Sequence, residues 1–352
     1  MELGRDELSF AHRFSIAFVR LGFYMGYAPP GTNPLDLVGL AQEAEGLGYD
    51  SVWAAEAWGT DAVTVLSWIA ATTSRIKVGS AIMQIPGRSP ANTAMTAATL
   101  DLMSGGRFLL GLGTSGPQVV EGWHGEAWGK PLAKTREYVE IVRAALRREV
   151  LEHHGEHYDV PYSGDGATGL GKPLKLMLRP LRPEIPIYLG SIAPRAVKLA
   201  FEIADGWIPL FFAPERARDL FPIAAARDGF DIAPSVPVLL TDDVQAGRDT
   251  LKQYYALYVG GMGARGSNFY NDLFARYGYE REAHEIQDLF LAGKQRDAAA
   301  AVPDSFVDQV ALVGPKERIG ERLDAFREAG ATTLLVSTRQ PEALRAVAEM
   351  SL

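Results

Sequence analysis

The sequence predicts an α/β fold, specifically a (β/α)8 TIM barrel with insertions. Eight short apolar segments alternate along the chain with longer segments whose apolar residues recur at helical spacing. Most of the short segments are apolar throughout, which is typical of parallel strands that are covered on both faces. Once three segments that look inserted are set aside, about 250 residues remain, which is the length of a barrel without insertions.

The predicted strands and helices follow one another in a regular order. Gly46 and Gly48 end the first helix, and Pro194 begins the helix after the fifth strand. The predicted strands are 20–27, 51–55, 76–82, 107–112, 185–189, 206–210, 236–241 and 332–337. The predicted helices are 34–47, 62–73, 91–103, 132–150, 194–203, 214–227, 244–259, 316–329 and 341–350.

One barrel domain is expected over residues 20–352, after a lead-in at residues 1–19 that is expected to be poorly ordered. Insertions are expected at about 114–131, 151–185 and 260–312. We expect the last insertion to cover a pocket or to form a subunit contact, because it is rich in aromatic residues: Tyr270, Phe274, Tyr277 and Tyr279. Barrels of this kind carry their chemistry on the loops that follow the strands, so functional residues are sought there.

Composition and charge exclude several classes of protein. The chain has 35 Lys and Arg against 43 Asp and Glu, and this net charge of −8 disfavours a nucleic-acid partner. It has no cysteine, which excludes disulfides, thiolate-bound metals and a cysteine nucleophile. No apolar run is long enough for a membrane span or a signal peptide. We therefore expect a cytoplasmic protein that acts on a small molecule, without a membrane or nucleic-acid partner.

A glycine-rich motif, G-x-G-x-x-G at residues 111–116, follows the fourth predicted strand. A dinucleotide site would need a helix that opens directly after it and an acidic strand end about 20 residues later. Pro117 follows instead, and Glu137 lies inside a predicted helix. A tight turn is one alternative, and the interpretation that we favour is a loop whose backbone amides face a ligand.

Two further motifs bear on metal and phosphate binding. Residues 153–157 fit H-x-x-E-H, a zinc-protease pattern, but Gly155 interrupts the helix that the pattern requires. We interpret this segment as a polar turn into a hairpin and expect no metal site. Residues 189–194 join the fifth strand to a helix start, where backbone amides and the helix dipole bind phosphate well.

Charged and aromatic side chains also mark candidate surfaces. Residues 167–183 contain no acid and four cations, Lys172, Lys175, Arg179 and Arg182. These cations form either a solvated face or a positive rim for an anionic ligand tail. Trp58, Trp123 and Trp128 lie in predicted loops after the second and fourth strands, where such rings commonly line an apolar pocket.

Several turn sequences at the predicted strand ends form a recognisable set. They are S-V-W-A-A-E at 51–56, V-G-S-A-I at 78–82, R-S-P at 88–90, L-D-L-M-S-G-G-R-F at 100–108, G-L-G-T at 111–114, Y-L-G-S at 188–191 and A-D-G at 204–206. Over about residues 20–350 this set resembles the luciferase-like monooxygenase superfamily, and most closely its coenzyme F420-dependent oxidoreductase branch. The resemblance implies a luciferase-like (β/α)8 barrel that binds a deazaflavin.

The resemblance also implies which residues contact the cofactor. The deazaflavin ring would lie against a bulge at Ala81 and Ile82, which carries a non-proline cis peptide in this family, with Gln84 beside the ring. Glycine and hydroxyl residues after the fourth strand would contact the ring or its side chain: Gly113, Thr114 and Ser115. The loop after the fifth strand would hold the phosphate: Gly190, Ser191, Ile192 and Ala193. The basic stretch at 172–182 would then meet the polyglutamate tail.

One departure from the family concerns proton transfer. Dehydrogenase-type members carry an Asp–His pair at the end of the second strand, where this sequence has Glu56 and Ala57. The acidic residue that these members carry after G-x-G-T aligns near Gly116 and is missing as well. Glu56 can replace the aspartate as a hydrogen-bond acceptor at the cofactor, but Ala57 cannot move a proton. The substitute acid–base candidates are Glu121 and His124, and the alternative is that both are surface residues of the loop.

The sequence thus predicts an oxidoreductase that moves a hydride between C5 of coenzyme F420 and an unidentified organic substrate. An FMN-dependent luciferase-like monooxygenase is the alternative within the same fold. A barrel hydrolase or isomerase without a redox cofactor, and a flavin-binding barrel without catalysis, are alternatives of other classes. We also expect a homodimer or a higher homo-oligomer.

Overall fold

Parallel strands form the barrel that the sequence predicts, in a computed structural model that describes residues 19–26, 28 and 31–351. The predicted lead-in at residues 1–19 lies outside the described residues, apart from Val19. The strands are β1 (Arg20–Gly26), β2 (Ser51–Ala54), β3 (Lys77–Ser80), β4 (Met83–Gln84), β5 (Phe108–Gly113), β6 (His153–His154), β7 (Asp159–Val160), β8 (Ile187–Gly190), β9 (Gly206–Ile208), β10 (Asp231–Ile232), β11 (Ser235–Leu240), β12 (Leu312–Gly314) and β13 (Thr333–Ser337).

The order of the strands closes the sheet on itself. The hydrogen-bonded order is β10-β9-β8-β5-β3-β2-β1-β13-β11-β12, and these pairings are parallel. This order begins with β10 and reaches β11 after β13, and β12 is added beside β11. β10 and β11 are consecutive parts of one extended segment. Ser235 N donates to Pro209 O at 3.1 Å on the β9 side, and Leu335 N donates to Pro234 O at 2.9 Å on the β13 side. The segment therefore joins β9 to β13 and completes the barrel.

Helices follow the barrel strands on the outside. They are α1 (Pro34–Gly46), α2 (Ala62–Thr72), α3 (Pro90–Met103), α4 (Pro117–Gly122), α5 (Pro131–Leu146), α6 (Pro194–Ile203), α7 (Pro214–Leu220), α8 (Val244–Ala256), α9 (Phe269–Phe274), α10 (Glu280–Leu291), α11 (Gln295–Ala300), α12 (Asp304–Val310), α13 (Lys316–Glu328) and α14 (Pro341–Ser351). Proline often stands in the first turn, where its missing N–H costs nothing. No helix within residues 31–351 combines the length and apolar composition that crossing a bilayer requires.

Three predicted helices are shorter than expected. The helix predicted at 214–227 ends at Leu220, because Pro222 cannot donate the next helical hydrogen bond, and a 3₁₀ turn follows at Ile223–Ala225. The helix predicted at 132–150 ends at Leu146. The helix predicted at 244–259 ends at Ala256 and continues as a π-helical segment, Leu257–Gly261. The H-x-x-E-H segment is the predicted hairpin, in which His153 pairs with Val160 across β6 and β7.

Large side chains fill the inside of the barrel. Trp53 and Tyr188 meet edge to face there, with ring centroids 5.0 Å apart. Glycines on neighbouring strands make room for these rings, since a Cβ on Gly79 would lie 2.4 Å from the Trp53 ring and one on Gly206 would lie 2.3 Å from the Tyr188 ring. Tyr24 packs on the same cluster. Because these rings fill the described interior, space for a ligand is expected above the strand ends.

A buried ion pair joins the loop before β8 to the start of β5. Asp101 is fully buried and accepts hydrogen bonds from Arg182 Nη2 at 2.7 Å and from Phe108 N at 3.3 Å. Arg182 also donates to Phe108 O. Phe108 is the first residue of β5, so Arg182 lies at the amino-terminal end of the barrel.

The expectation that the basic stretch 172–182 meets a cofactor tail is therefore wrong for Arg182. Its charge is committed to Asp101 at the end of the barrel opposite to the carboxyl ends of the strands. The other cations of the stretch are exposed: Lys172, Lys175 and Arg179.

We expect Arg182→Ala to lower the free energy of unfolding by about 3–5 kcal/mol, because it leaves the buried Asp101 carboxylate without its charged partner. The control is Arg147→Ala, whose partner Glu149 is exposed and whose loss should cost no more than about 1 kcal/mol. Urea unfolding followed by circular dichroism measures both values. If both variants lost the same small amount of unfolding free energy, the buried ion pair between Arg182 and Asp101 would not have the stabilising role given to it here.

Candidate functional site

A cavity of about 920 Å³ opens at the carboxyl ends of the barrel strands. Its volume is in the range of small-molecule and cofactor sites. The lining includes every residue that the sequence assigns to cofactor binding: Glu56, Ala81, Ile82, Gln84, Gly113, Thr114, Ser115, Gly190, Ser191, Ile192 and Ala193. The structure therefore brings these residues together from four loops that are distant in sequence.

The side chain of Ile82 forms an apolar floor in this cavity. The Ala81–Ile82 peptide bond is cis, as the family resemblance implies. A Cβ on Gly113 would lie 2.8 Å from Cγ1 of Ile82, and a Cβ on Gly190 would lie 2.8 Å from its Cγ2. Any larger residue at either position would collide with Ile82, so the two glycines allow the isoleucine to lie between β5 and β8.

Glu56 is held in place by four hydrogen bonds. One carboxylate oxygen accepts from Gln84 N at 2.9 Å and the other from Ala62 N at 3.2 Å, while Arg88 pairs with both oxygens. Arg88 also reaches Asp61 at 2.7 Å. Burial of Arg88 opposes its charge, but the hydrogen bonds and charges of Glu56 and Asp61 outweigh this effect and raise the pKa of Arg88. The Glu56 carboxylate is thus committed to an ion pair that orders the strand ends.

Gln84 connects Glu56 to His124. The Gln84 side chain is buried, and its Nε2 donates to Glu56 O at 3.3 Å. Its Oε1 accepts a hydrogen bond from His124 Nε2. His124 packs against Gly87 and is not part of the cavity lining, and neither is Glu121. Glu121 is exposed and accepts a hydrogen bond from Trp128 N at 3.4 Å. Of the four residues considered for chemistry, Glu56 and Gln84 therefore line the cavity, His124 lies behind Gln84, and Glu121 lies outside the cavity.

The loop between β8 and α6 carries a polar atom without a partner. Ser191 Oγ is buried and makes no hydrogen bond with the described residues. Trp207 Nε1 donates to Ser191 O at 2.8 Å, and Arg276 Nη2 donates to Ile192 O at 3.2 Å, so the loop is fixed from both sides. No side chain caps α6 at Ala193. The uncapped amides and the helix dipole favour an anion beside this hydroxyl.

Aromatic side chains from two loops and the last insertion surround the rest of the cavity. Trp58, Trp123 and Trp128 line it, as predicted. The expectation that the last insertion covers a pocket is also met, because Phe269 and Tyr270 belong to the lining. The rings of Trp128 and Phe269 pack against each other, with their centroids 6.3 Å apart.

The other aromatic residues of that insertion lie deeper. Phe274 and Tyr277 are buried in the core, and Tyr277 Oη donates to Phe211 O at 2.6 Å. Burial raises the pKa of Tyr277 above its ordinary value. Tyr279 is partly buried against Phe306. These residues support the cover of the cavity rather than line it.

Sequence reasoning missed several residues that line the cavity. Tyr24 could have been found, because it stands near the end of the first predicted strand, where barrels place functional residues. Arg195 follows Pro194 at the predicted helix start and could have been found in the same way. Met262 and Phe269 carry no such signal, because they belong to an insertion without a repeating pattern.

Comparison with known proteins gives several matches. A family model described as luciferase-like monooxygenase matches residues 16–333. A Mycobacterium tuberculosis protein named provisionally as a coenzyme F420-dependent oxidoreductase is 42% identical over 347 residues, which cover 95% of this chain and 99% of the relative. The 5,10-methylenetetrahydromethanopterin reductase of Archaeoglobus fulgidus is 27% identical over 309 residues, which cover 84% of this chain and 87% of the relative.

A solved structure shows the same fold. The coenzyme F420-dependent tetrahydromethanopterin reductase of Methanopyrus kandleri aligns with a TM-score of 0.75 and 22% identity. The alignment covers 95% of this chain and 98% of that chain. At this level of identity the likeness concerns the barrel and its insertions as a fold.

We expect Glu56→Gln to lower the free energy of unfolding by about 2–3 kcal/mol. The substitution removes the negative charge from the buried ion pair with Arg88, and it places the NH₂ group of glutamine against N–H groups that need an acceptor. The matched control is Asp61→Asn, which removes a charge from the same Arg88 but at a half-exposed position, and asparagine also caps α2. It should cost less than about 1 kcal/mol. Urea unfolding of both variants checks the difference, and a larger loss for Asp61→Asn would contradict the role of Glu56.

Proposed function

Because the chain belongs to the luciferase-like monooxygenase family, we propose that it is an oxidoreductase that uses coenzyme F420 and transfers a hydride between the deazaflavin C5 and an organic substrate. The match to the family bears out the resemblance seen in the turn sequences. Two of the similar proteins carry F420 in their names, and one of these is 42% identical to this chain. The observation that carries the proposal is that all the residues implied for the cofactor line one cavity.

The residues present fit a flat ring with an anionic side chain. Ile82 offers an apolar surface flanked by glycines, so it would support one face of the ring. Ser191 Oγ, buried without a partner at the start of α6, would donate to the phosphate together with the helix amides. When bound, the deazaflavin supplies a carbon centre that gives or accepts a hydride. The aromatic residues around the cavity would keep water away from that centre.

Three residues near the cavity are considered for positioning or proton transfer: Glu56, His124 and Glu121. The Glu56 carboxylate is fully engaged by Arg88 and two backbone amides, which favours a positioning role. His124 would orient Gln84 beside the ring, because it donates to the Gln84 side chain from behind. A direct acid–base role for Glu121 or His124 stays a prediction, and it requires α4, which carries Glu121, or the loop after it, which carries His124, to move toward the cavity.

A homo-oligomer and a cytoplasmic location are further parts of the proposal. Neighbouring helices α2 and α3 expose large apolar side chains, including Trp68, Met95 and Met103, of which Met103 is 63% exposed. Such a face is common where two copies of a chain meet. The cytoplasmic location rests on the composition of the sequence alone.

We expect coenzyme F420 to bind one site per chain, while FMN at the same concentration does not displace it. The measurement is a titration of the purified protein with each compound, followed by the fluorescence of the ligand. Tight binding of FMN alone would replace the proposal by a flavin-dependent monooxygenase. Binding of neither compound would favour a barrel enzyme without a redox cofactor.

Ser191→Ala should weaken the binding of coenzyme F420 about tenfold, because it removes one hydrogen bond to a charged phosphate. A deazaflavin that lacks the phosphate serves as the control ligand and should bind both proteins equally. Circular dichroism establishes that the variant folds. An equal loss for both ligands would show that Ser191 acts on the ring or on folding instead of on the phosphate.

A further inference from the structure

A group of cations surrounds the loop at residues 190–193 without acidic partners. Arg195 and Lys198 stand three residues apart on α6 and are exposed on the same face. Arg276 donates to Ile192 O at 3.2 Å, and Arg216 donates to Tyr277 O at 3.2 Å beside it. None of these four side chains forms an ion pair with the described part of the chain.

The absence of acidic partners around this loop is unusual for this protein. The chain has a net charge of −8, and many of its arginines are paired, such as Arg143 with Asp205 at 2.9 Å. Glu202 is one turn after Lys198 on α6, but it pairs with Arg136 at 2.6 Å instead. The group is therefore a local positive region on an acidic protein, which attracts anions to this side of the cavity.

The shape of the cavity connects this region to the phosphate position. The lining runs from Ser191 along the first turns of α6 through Arg195 to Leu199. A ligand whose phosphate lies at Ser191 can therefore extend along α6 over Arg195 and toward the exposed Lys198, which lies about one turn further along the helix and outside the lining. Arg276 is at the other side of the same loop, where it holds Ile192 O and still has free donors on its guanidinium.

We propose that Arg195, Lys198 and Arg276 bind the carboxylates of the oligoglutamate tail of the cofactor where the tail leaves the phosphate position. This inference rests on the proposed function, since it takes coenzyme F420 as the ligand. It replaces the assignment of the tail to the stretch 172–182, whose Arg182 is at the opposite end of the barrel. The tail site adds affinity through several exposed charge pairs, so it depends on salt.

The test measures binding by ligand fluorescence for two forms of coenzyme F420, one without glutamates and one with a long oligoglutamate tail. The wild-type protein should bind the long form about tenfold more tightly at low salt, and this preference should fade as salt is added. The double variant Arg195→Glu and Lys198→Glu should lose the preference while it still binds the form without glutamates. The matched control, Lys172→Glu and Lys175→Glu, makes the same change of charge at exposed positions outside the cavity lining and should keep the preference.

The outcomes separate this inference from the proposed function. If neither form binds to the wild-type protein, the proposed function fails. If both forms bind with equal affinity, coenzyme F420 remains the ligand and the tail site is wrong. An equal loss for both forms in the α6 variant would also overturn it, because the cations would then act on the phosphate. A loss of the preference in the control variant would show a general effect of net charge and overturn it as well.

Discussion

The cavity depends on one close packing arrangement, the side chain of Ile82 between two glycines. The barrel interior is filled by Trp53 and Tyr188, so the apolar surface that Ile82 offers to a flat ligand lies above these rings. Gly113 and Gly190 bring β5 and β8 close to the isoleucine without a collision. The floor therefore depends on the absence of a side chain at these two glycine positions, because a Cβ at either one would collide with Ile82.

Arginines serve two different purposes in this fold. Arg182 at the amino-terminal end and Arg88 near the cavity are committed to buried carboxylates, which orders the chain around them. Within the described residues Arg195 and Arg276 have no carboxylate partner, and they border the loop whose Ser191 hydroxyl makes no hydrogen bond there either. Paired charges stabilise the frame of the site, whereas unpaired charges leave it able to bind an anion.

The barrel strands and the residues that follow them could be predicted from the sequence. Residues 51–54 and 187–189 were predicted as strand from uniform apolar runs, and the loop residues Gly113 and Ser191 were placed at the cavity by the resemblance. The helix at 214–227 was predicted too long, because apolar spacing outweighed the proline at position 222. The acidic partner of the basic stretch was missed, because Asp101 is far from Arg182 in sequence.

The sequence by itself determined the order and type of the elements and the glycine positions in the strand-end loops, since these follow from local periodicity and backbone freedom. Only the tertiary structure decided which charges meet and which remain alone. Arg276 and Ile192 are 84 residues apart, Arg182 and Asp101 are 81 apart, and no local pattern brings either pair together. The closure of the barrel makes these contacts, and with them it decides which end of the molecule can receive an anion.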